Sequence, residues 1–311
     1  YNNYEDTINC IESVEKYNTA PIKLIVIDNG SPRQGCVKAL DKYLVNRYDS
    51  RYTRINDNAQ ITWPYLNYVT MLTSPVNDGY ACGNNKGLKL ADNDPEITNV
   101  MILNNDILFI SDILPGLLKR KKTLPDCAVI SPLLLKRDKK EPDIFCARRE
   151  AVMSQIIKTN FLHYWRRIRG KSDSDAEINR FILLDSDIYN NDIIEIDLPS
   201  GSCMLLEKSY FKSIGWFDPH TFLYCEEDIL HKKIKATGKC NYLDMTLRCV
   251  HLGAGSTQNV PGLTLLKAGM VSQRHYVLNY SDSSWGTKAI FCISQRFYWW
   301  SMKLQKRLTK H

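Results

Sequence analysis

The stretch Ile22-Lys23-Leu24-Ile25-Val26-Ile27-Asp28-Asn29-Gly30-Ser31-Pro32 decides the fold class of this chain. Its apolar first half is typical of a strand buried in a parallel sheet, and its second half is a dense turn signal. Apolar residues at helical spacing predict helices over 7–17 and 37–46, and residues 99–103 form another apolar strand that ends in Asn104-Asn105-Asp106. This alternation predicts an α/β fold with an open, mostly parallel central sheet flanked by helices.

The composition excludes several classes of protein. The 311 residues are 44% hydrophobic and 24% charged, which argues against a disordered, collagenous or disulfide-framework chain. The net charge of +7 favours anionic partners such as phosphates and nucleotides, but no nucleic-acid-binding module is recognisable. No stretch approaches the roughly 18 consecutive apolar residues of a spanning helix. The ten cysteines include no CxxC pair, which predicts a reducing compartment rather than a zinc ribbon.

Two carboxylates follow the two predicted strands directly. Ligands of open α/β sheets bind just beyond the carboxyl ends of the strands, where Asp28 and Asp106 stand. Either residue alone is explained as the start of a turn. Together they favour a shared site, in which one carboxylate accepts from a base or a sugar hydroxyl and the other holds a divalent metal ion.

A segment rich in glycine and asparagine, Asn77-Asp78-Gly79-Tyr80-Ala81-Cys82-Gly83-Asn84-Asn85-Lys86-Gly87, lies between these two positions. Its glycines would let backbone amides approach a diphosphate at the start of a helix that continues through Leu88 and Leu90. A plain surface turn is the alternative. Neither a P-loop nor the GxGxxG fingerprint of dinucleotide-binding proteins is present.

The second half of the chain carries three consecutive acids, Glu226, Glu227 and Asp228, before an apolar helix. Acids in a first helical turn have a purely structural account, yet a partly buried carboxylate also suits a general base. His251 ends a later apolar stretch. It is either a structural histidine or, if the fold brings it to Asp106, a metal ligand.

The motifs, taken in order, resemble those of family 2 glycosyltransferases. They are Asp-Asn-Gly-Ser after a strand, the 77–87 segment, Asn-Asn-Asp after a strand, Ser-Gly-Ser before a strand, Gly-Trp-Phe-Asp, Glu-Asp and a late Val-His. The match runs from Tyr1 to about Ser256, and its pattern is most similar to the rhamnosyltransferase-like branch of bacterial O-antigen and capsule synthesis. The resemblance implies a GT-A fold, with a Rossmann-like central sheet and a helical C-terminal extension.

The resemblance also implies roles for individual residues. Tyr1 and Asn2 would follow the first strand of the GT-A fold, a strand that this chain lacks, and Asp28 would bind the nucleotide base. Asp106 would be the last residue of a metal motif whose first position is Asn104 rather than Asp, and His251 would complete the metal shell. Asp228, preceded by Glu227, would be the catalytic base. The implied donor-binding residues are Tyr1, Asn2, Asp28, Asn77, Gly79, Gly83, Asn84, Asn85 and Asn105.

The function implied by the resemblance is an inverting sugar transfer that uses Mg²⁺ or Mn²⁺. The donor would be a dTDP- or UDP-sugar, and the acceptor would be a glycan or a lipid-linked molecule of surface polysaccharide synthesis, with rhamnose as one candidate sugar. We expect a nucleotide-sugar half over 1–106, an acceptor and catalytic half over 107–256, and a helical extension over 257–311. A sugar-phosphate nucleotidyltransferase and a weakly active, scaffold-like or glycan-binding protein are the alternatives.

The C-terminal extension has an unusual composition. After Asp282 there is no acidic residue, whereas Lys288, Arg296 and Lys303 alternate with aromatic side chains. Such a helix either lies on an acidic membrane surface or packs on the domain or on a second subunit of a homodimer. The expected location is the cytoplasm, with peripheral contact at the inner face of the cell membrane.

Overall fold

The computed structural model describes residues 2–33, 35–57, 65–168, 190–253 and 262–308. The helices of this part of the chain are α1 (Tyr4–Tyr17), α2 (Cys36–Tyr48), α3 (Gly79–Asn93), α4 (Leu114–Thr123), α5 (Met153–Ile168), α6 (Lys208–Ser213), α7 (Glu226–Lys235), α8 (Gly262–Asn279) and α9 (Trp285–Leu308). The strands are β1 (Leu24–Asn29), β2 (Tyr52–Asn56), β3 (Val69–Ser74), β4 (Asn99–Leu103), β5 (Ile107–Phe109), β6 (Cys127–Leu135), β7 (Ala147–Arg148), β8 (Ile193–Ile196), β9 (Leu198–Pro199), β10 (Cys203–Glu207) and β11 (Cys240–His251).

The first sheet contains β1, the strand that lies within the stretch from Ile22 to Pro32. Its order is β1-β3-β2, and all its pairings are parallel, with Leu24 opposite Val69. Helices α1 and α2 pack on it through a cluster that includes Ile11 and Leu44, while Gly87 of α3 lies against β1. The predicted βα alternation and the parallel strand are therefore confirmed.

The second sheet has the order β4-β10-β6-β11-β5, and β8 adds to β11. Strands β6 and β11 run parallel, whereas β10 pairs antiparallel with both β4 and β6, and β5 and β8 pair antiparallel with β11. All nine residues of β6 are buried because the main hydrophobic cluster surrounds them. The α/β class is confirmed, with one fully parallel sheet and one mixed sheet.

The start of α1 joins the carboxyl ends of β1 and β4. The amide of Asn2 donates to Ser31 Oγ beyond β1 at 2.7 Å, and Asn105 Nδ2 beyond β4 donates to Asn3 O at 3.1 Å. The two turns that sequence reasoning selected therefore lie beside one another, even though β1 and β4 belong to different sheets.

Two local predictions change in the structure. Helix α1 begins at Tyr4, three residues before the predicted start at residue 7, and is capped by Asn3, whose side chain accepts from the amide of Asp6. The glycine-rich segment 77–87 is itself helical from Gly79 onward, so the predicted helix begins within the segment rather than after it. Its glycines are four residues apart, so they share one helix face.

That glycine face allows α3 to approach β1 closely. A Cβ at Gly83 would lie 2.9 Å from Asn29 Nδ2, and one at Gly87 would lie 2.6 Å from Ile27 Cδ1. The glycines therefore serve helix–strand packing as well as any ligand. The predicted helical C-terminal region is confirmed as α8 and α9. Among the described residues, no helix is both long and apolar enough to cross a bilayer.

Candidate active site

One large cavity collects most of the sequence-predicted site residues. The residues that line it include Asn77, Gly79, Gly83, Asn84, Asn105, Asp106, Glu227, Asp228 and His251. Of the described candidates, Asn2, Asp28 and Asn85 are not among its lining residues, and Tyr1 lies outside the described residues. The cavity sits at the carboxyl ends of β1 and β4, as expected for an α/β sheet.

The turn after β1 is stabilised by its own side chains. The buried carboxylate of Asp28 accepts from both the amide and the hydroxyl of Ser31. The next residue, Asn29, donates from Nδ2 to Asn77 Oδ1 at 3.1 Å and to Gly79 O at 2.9 Å. These bonds hold the β1 turn against the N-terminus of α3. The role of Asp28 in binding a nucleotide base stays a prediction.

The β4 turn and the end of β11 bring Asp106 to His251, as the metal-site hypothesis requires. His251 Nε2 lies 3.3 Å from Asp106 Oδ2, and His251 Nδ1 lies 2.6 Å from Asp143 Oδ2. Burial lowers the pKa of His251, but the two carboxylates outweigh it and raise that pKa to about 9. Asp143 orients the imidazole, and this partner was missed by sequence reasoning.

The Asp106–His251 pair fits a divalent cation. Asp106 is buried, and among the described residues its Oδ1 atom has no hydrogen-bond partner. A buried carboxylate oxygen without a partner is costly unless a ligand satisfies it. One carboxylate and one imidazole suit Mg²⁺ or Mn²⁺ when further oxygen ligands come from a substrate. A bound ion would displace the proton that the two carboxylates favour on His251, because a ligating imidazole nitrogen must be unprotonated. Asp106 and His251 would therefore hold the ion, and Asp143 would hold His251.

The loop before β10 connects the metal pair to the acids of α7. The backbone amide of Asn104 donates to Ser202 O at 2.8 Å, and its side chain donates to Ser202 Oγ at 3.2 Å. In the same loop, the amide of Gly201 donates to Glu227 Oε1 at 3.0 Å, and Gly201 O accepts from Tyr80 at 2.6 Å. The 200–202 loop therefore holds the carboxylate of Glu227 and also contacts Asn104, which precedes Asn105 and Asp106 in the chain.

The three acids of α7 occupy three environments. Glu226 is buried, and this burial together with the nearby Glu227 carboxylate raises its pKa to about 8. Glu227 lines the cavity, and Arg148 lies 3.9 Å from its Oε2 atom. Asp228 also lines the cavity, but it is buried near Tyr276. Burial is the main cause of the raised pKa of Tyr276, and the charge of Asp228 raises that pKa further. At neutral pH Glu226 is therefore mostly protonated.

The residues of the 77–87 segment divide between the cavity and the packing behind it. Gly79 has a φ of +88°. The start of α3 lines the cavity with Gly79, Gly83 and Asn84. Asn85 points away, because its side chain donates to Phe217 O at 2.9 Å and accepts from Phe217 N at 3.1 Å. Its structural role is thus to hold the Gly-Trp-Phe-Asp loop, and its predicted donor contact is untested.

A second group of possible metal ligands lies outside the cavity lining. Asp218 Oδ1 is 2.7 Å from His220 Nδ1, and Asp218 Oδ2 is 2.9 Å from His275 Nε2 and accepts from Tyr280. Burial raises the pKa of Asp218, but these hydrogen bonds outweigh it and hold that pKa far below its usual range. The ligand atoms lie within 4.8 Å of one another, which makes this a candidate metal site. Sequence reasoning did not select it, because its members lie on a loop and on α8.

The sequence from residue 1 to residue 215 matches the family described as Glycosyl transferase family 2. This chain belongs to glycosyltransferase family 2. No curated protein gave a significant match to the whole chain.

Solved structures of other glycosyltransferases are similar in fold. A structure of GalNAc-T7 with UDP, GalNAc and Mn²⁺ matches with a TM-score of 0.53 and 15% identity, over 97% of this chain and 54% of that one. The mannosyltransferase PcManGT from Pyrobaculum calidifontis, in complex with GDP-Man and Mn²⁺, matches with a TM-score of 0.50 and 12% identity, over 97% of this chain and 70% of that one. This family 2 glycosyltransferase thus has a GT-A-type fold, and it spans about half the length of the first of these structures.

Proposed function

We propose that this family 2 glycosyltransferase transfers a sugar, with inversion, from a nucleoside-diphosphate donor to a glycan or lipid-linked acceptor. One observation carries the proposal: the Asp106–His251 pair and the carboxylate of Glu227 line the same cavity, joined by the 200–202 loop. A single in-line displacement needs a base for the acceptor hydroxyl and charge neutralisation for the leaving diphosphate. The cavity offers groups for both.

Asp106 and His251 would hold Mg²⁺ or Mn²⁺, which neutralises the charge of the leaving diphosphate when bound. Asp143 keeps the imidazole of His251 in place through the 2.6 Å contact to Nδ1. Asn105, whose side chain donates to Asn3 O and to Thr7 Oγ1, stiffens the turn that presents Asp106. A preorganised turn avoids reorganisation when the donor binds.

We propose Glu227 as the base, with Asp228, the residue that the resemblance favours, as the direct competitor. The acceptor oxygen attacks the anomeric carbon, the bond from that carbon to the diphosphate oxygen breaks, and the acceptor proton passes to the carboxylate. Glu227 is the acid held by the loop that contacts Asn104, and Arg148 Nη2 lies 3.9 Å from its Oε2 atom. Glu226 beside it is buried and is not among the residues that line the cavity, so it is not placed to reach an acceptor there.

The donor class follows from the family and from the strand-end cavity. We propose a dTDP- or UDP-sugar whose base lies toward Asp28 and whose diphosphate lies near Asn77, Gly79, Gly83 and Asn84. The structural neighbours were solved with UDP and with GDP-Man, which supports a nucleotide-linked sugar. Rhamnosyl transfer, a part in bacterial surface polysaccharide synthesis and a cytoplasmic location rest on the motif resemblance alone.

A weakly active scaffold or glycan-binding protein is the second candidate, because Asn104 stands where the resemblance expects an acid. In the structure Asn104 hydrogen-bonds the 200–202 loop. An aspartate there would bring a second carboxylate to the metal site, so the asparagine favours weaker metal binding.

A panel of nucleotide sugars with Mn²⁺ tests the proposal. The purified chain is incubated with each donor, and the free sugar and the released nucleotide are quantified, with Asp106→Asn as the inactive control. Hydrolysis of one donor to sugar and nucleoside diphosphate supports the transferase. In a parallel set with added pyrophosphate, formation of the nucleoside triphosphate and the sugar 1-phosphate indicates a nucleotidyltransferase. No turnover and no binding of any donor supports the scaffold.

A further inference from the structure

The outer surface of α5 and α9 carries a continuous apolar stripe. Ile290, Ile293, Phe297 and Trp300 of α9 are exposed and recur every three or four residues, so they share one face of that helix. Ile293 is 60% exposed and Trp300 is 55% exposed. The exposed Phe161 of α5 extends the stripe, because its ring centroid lies 5.8 Å from that of Phe297. These five residues are called the aromatic face below.

Positive charge borders the aromatic face. Helix α9 contains Lys288, Arg296 and Lys303, continues with Lys306 and Arg307, and has no acidic residue. The exposed Arg296 and Lys303 lie about 80–100° around the helix from the centre of the stripe. This is the arrangement of an interfacial helix, in which aromatic and aliphatic side chains enter the headgroup region and cations contact anionic lipid.

The inner surface of the same helices faces the active-site cavity. Gln295 and Tyr298 of α9 and Ile156 and Asn160 of α5 are among the residues that line it. Helices α5 and α9 therefore stand between the catalytic cavity and the aromatic face. One layer of helices would then separate a lipid-linked acceptor at the aromatic face from the catalytic cavity.

We propose that the aromatic face docks this enzyme on an anionic lipid bilayer. The proposal rests on the proposed function where it assumes a lipid-linked acceptor. A second copy of the chain fits this face less well, because a two-fold contact through α9 would bring the same cations on both copies together. An anionic surface instead complements them.

Vesicle co-sedimentation tests docking without any sugar substrate. The chain is mixed with vesicles of phosphatidylglycerol and phosphatidylethanolamine, or of phosphatidylcholine alone. We expect binding to the anionic vesicles that weakens with salt, and a blue shift of tryptophan fluorescence. Ile293→Glu and, separately, Arg296→Glu should lower the partition coefficient at least about tenfold. Val45→Glu, at an exposed position of α2, is the matched control and should bind like the wild type.

Two outcomes overturn the proposal. In the first, the wild type does not bind anionic vesicles, or Ile293→Glu binds as well as Val45→Glu while both remain folded by circular dichroism. In the second, sedimentation velocity shows a wild-type dimer that Ile293→Glu converts to monomer, and vesicles bind neither. Donor hydrolysis without vesicles is measured in parallel. Docking without hydrolysis would contradict the proposed function alone, and hydrolysis without docking would contradict this inference alone.

Discussion

Replacing Glu227 by glutamine separates the base from the other acids of α7. The amide oxygen of glutamine can still accept the 3.0 Å hydrogen bond from the amide of Gly201. The side chain keeps its length, and the contact with Arg148 at 3.9 Å is too long to decide the fold. The change therefore removes the negative charge and the basicity of the carboxylate while leaving the loop and the cavity in place.

The expected loss is large in turnover and small in binding. A positioned general base contributes about 10²–10⁴-fold in rate, which corresponds to about 3–5 kcal/mol of barrier. We expect kcat to fall by that factor in Glu227→Gln and donor affinity to change less than about threefold, because the proposed place of the donor's diphosphate is at Asp106 and α3 rather than at Glu227. Asp228→Asn should retain more activity, since Asp228 is buried toward Tyr276.

The assay is Mn²⁺-dependent hydrolysis of the donor identified in the panel, with water in place of the acceptor. Donor affinity is measured separately by calorimetry for the wild type, Glu227→Gln and Asp228→Asn. Near-normal turnover in Glu227→Gln together with a complete loss in Asp228→Asn would refute the assignment and transfer the role to Asp228. Equal losses in both variants would show that the two carboxylates act as a unit.

Three further outcomes follow from the geometry. Asp106→Asn should abolish Mn²⁺-dependent hydrolysis and the rise in Tm that Mn²⁺ gives the wild type; an unchanged Mn²⁺ effect on Tm would exclude Asp106 as a ligand. Glu226→Gln should become more stabilising as the pH rises from 5 to 8. The carboxyl group of Glu226 ionises near pH 4.5 in the unfolded chain but has a pKa of about 8 in the folded one, so the wild type loses up to about 1 kcal/mol of stability per pH unit in this range. A difference in Tm that does not change with pH would contradict this burial. Gly79→Ala should cost about 2–4 kcal/mol in urea unfolding, because its φ is +88° and a Cβ would lie 2.3 Å from Phe222 O, whereas Gly286→Ala in α9 should be neutral or slightly stabilising.

Much of the candidate site could be predicted from the sequence because its parts are local. The turns after β1 and β4 are marked by Asp, Asn and Gly, and ligands of α/β folds bind beyond such strand ends. The two strands lie in different sheets, so the contacts of α1 rather than one sheet edge bring these turns together. From the sequence, His251 is a candidate metal ligand only if the fold brings it to Asp106. The pairing of β11 with β5 does so, because it places His251 opposite Ile107.

Other features could not be predicted because they depend on contacts between distant segments. Asp143 contacts His251 across 108 residues, and Tyr80 contacts Gly201 across 121. No local pattern marks Asp143, and the motifs that contain Tyr80 and Gly201 do not show that these two residues meet. The Asp218–His220–His275 group and the exposed stripe of α9 likewise depend on how the C-terminal helices pack.

The sequence by itself determined the family, the α/β class, the strand-end turns and the cationic tail, because hydrophobic runs, turn residues and charge act over a few neighbouring positions. Only the tertiary structure decided that α3 begins at Gly79 and packs on β1 through glycines. It also decided that Glu226 is buried while Glu227 lines the cavity, and that Asp143 supports His251. Burial and hydrogen bonding set these outcomes. Both depend on which distant segments meet, and the chain acquires that information only when it folds.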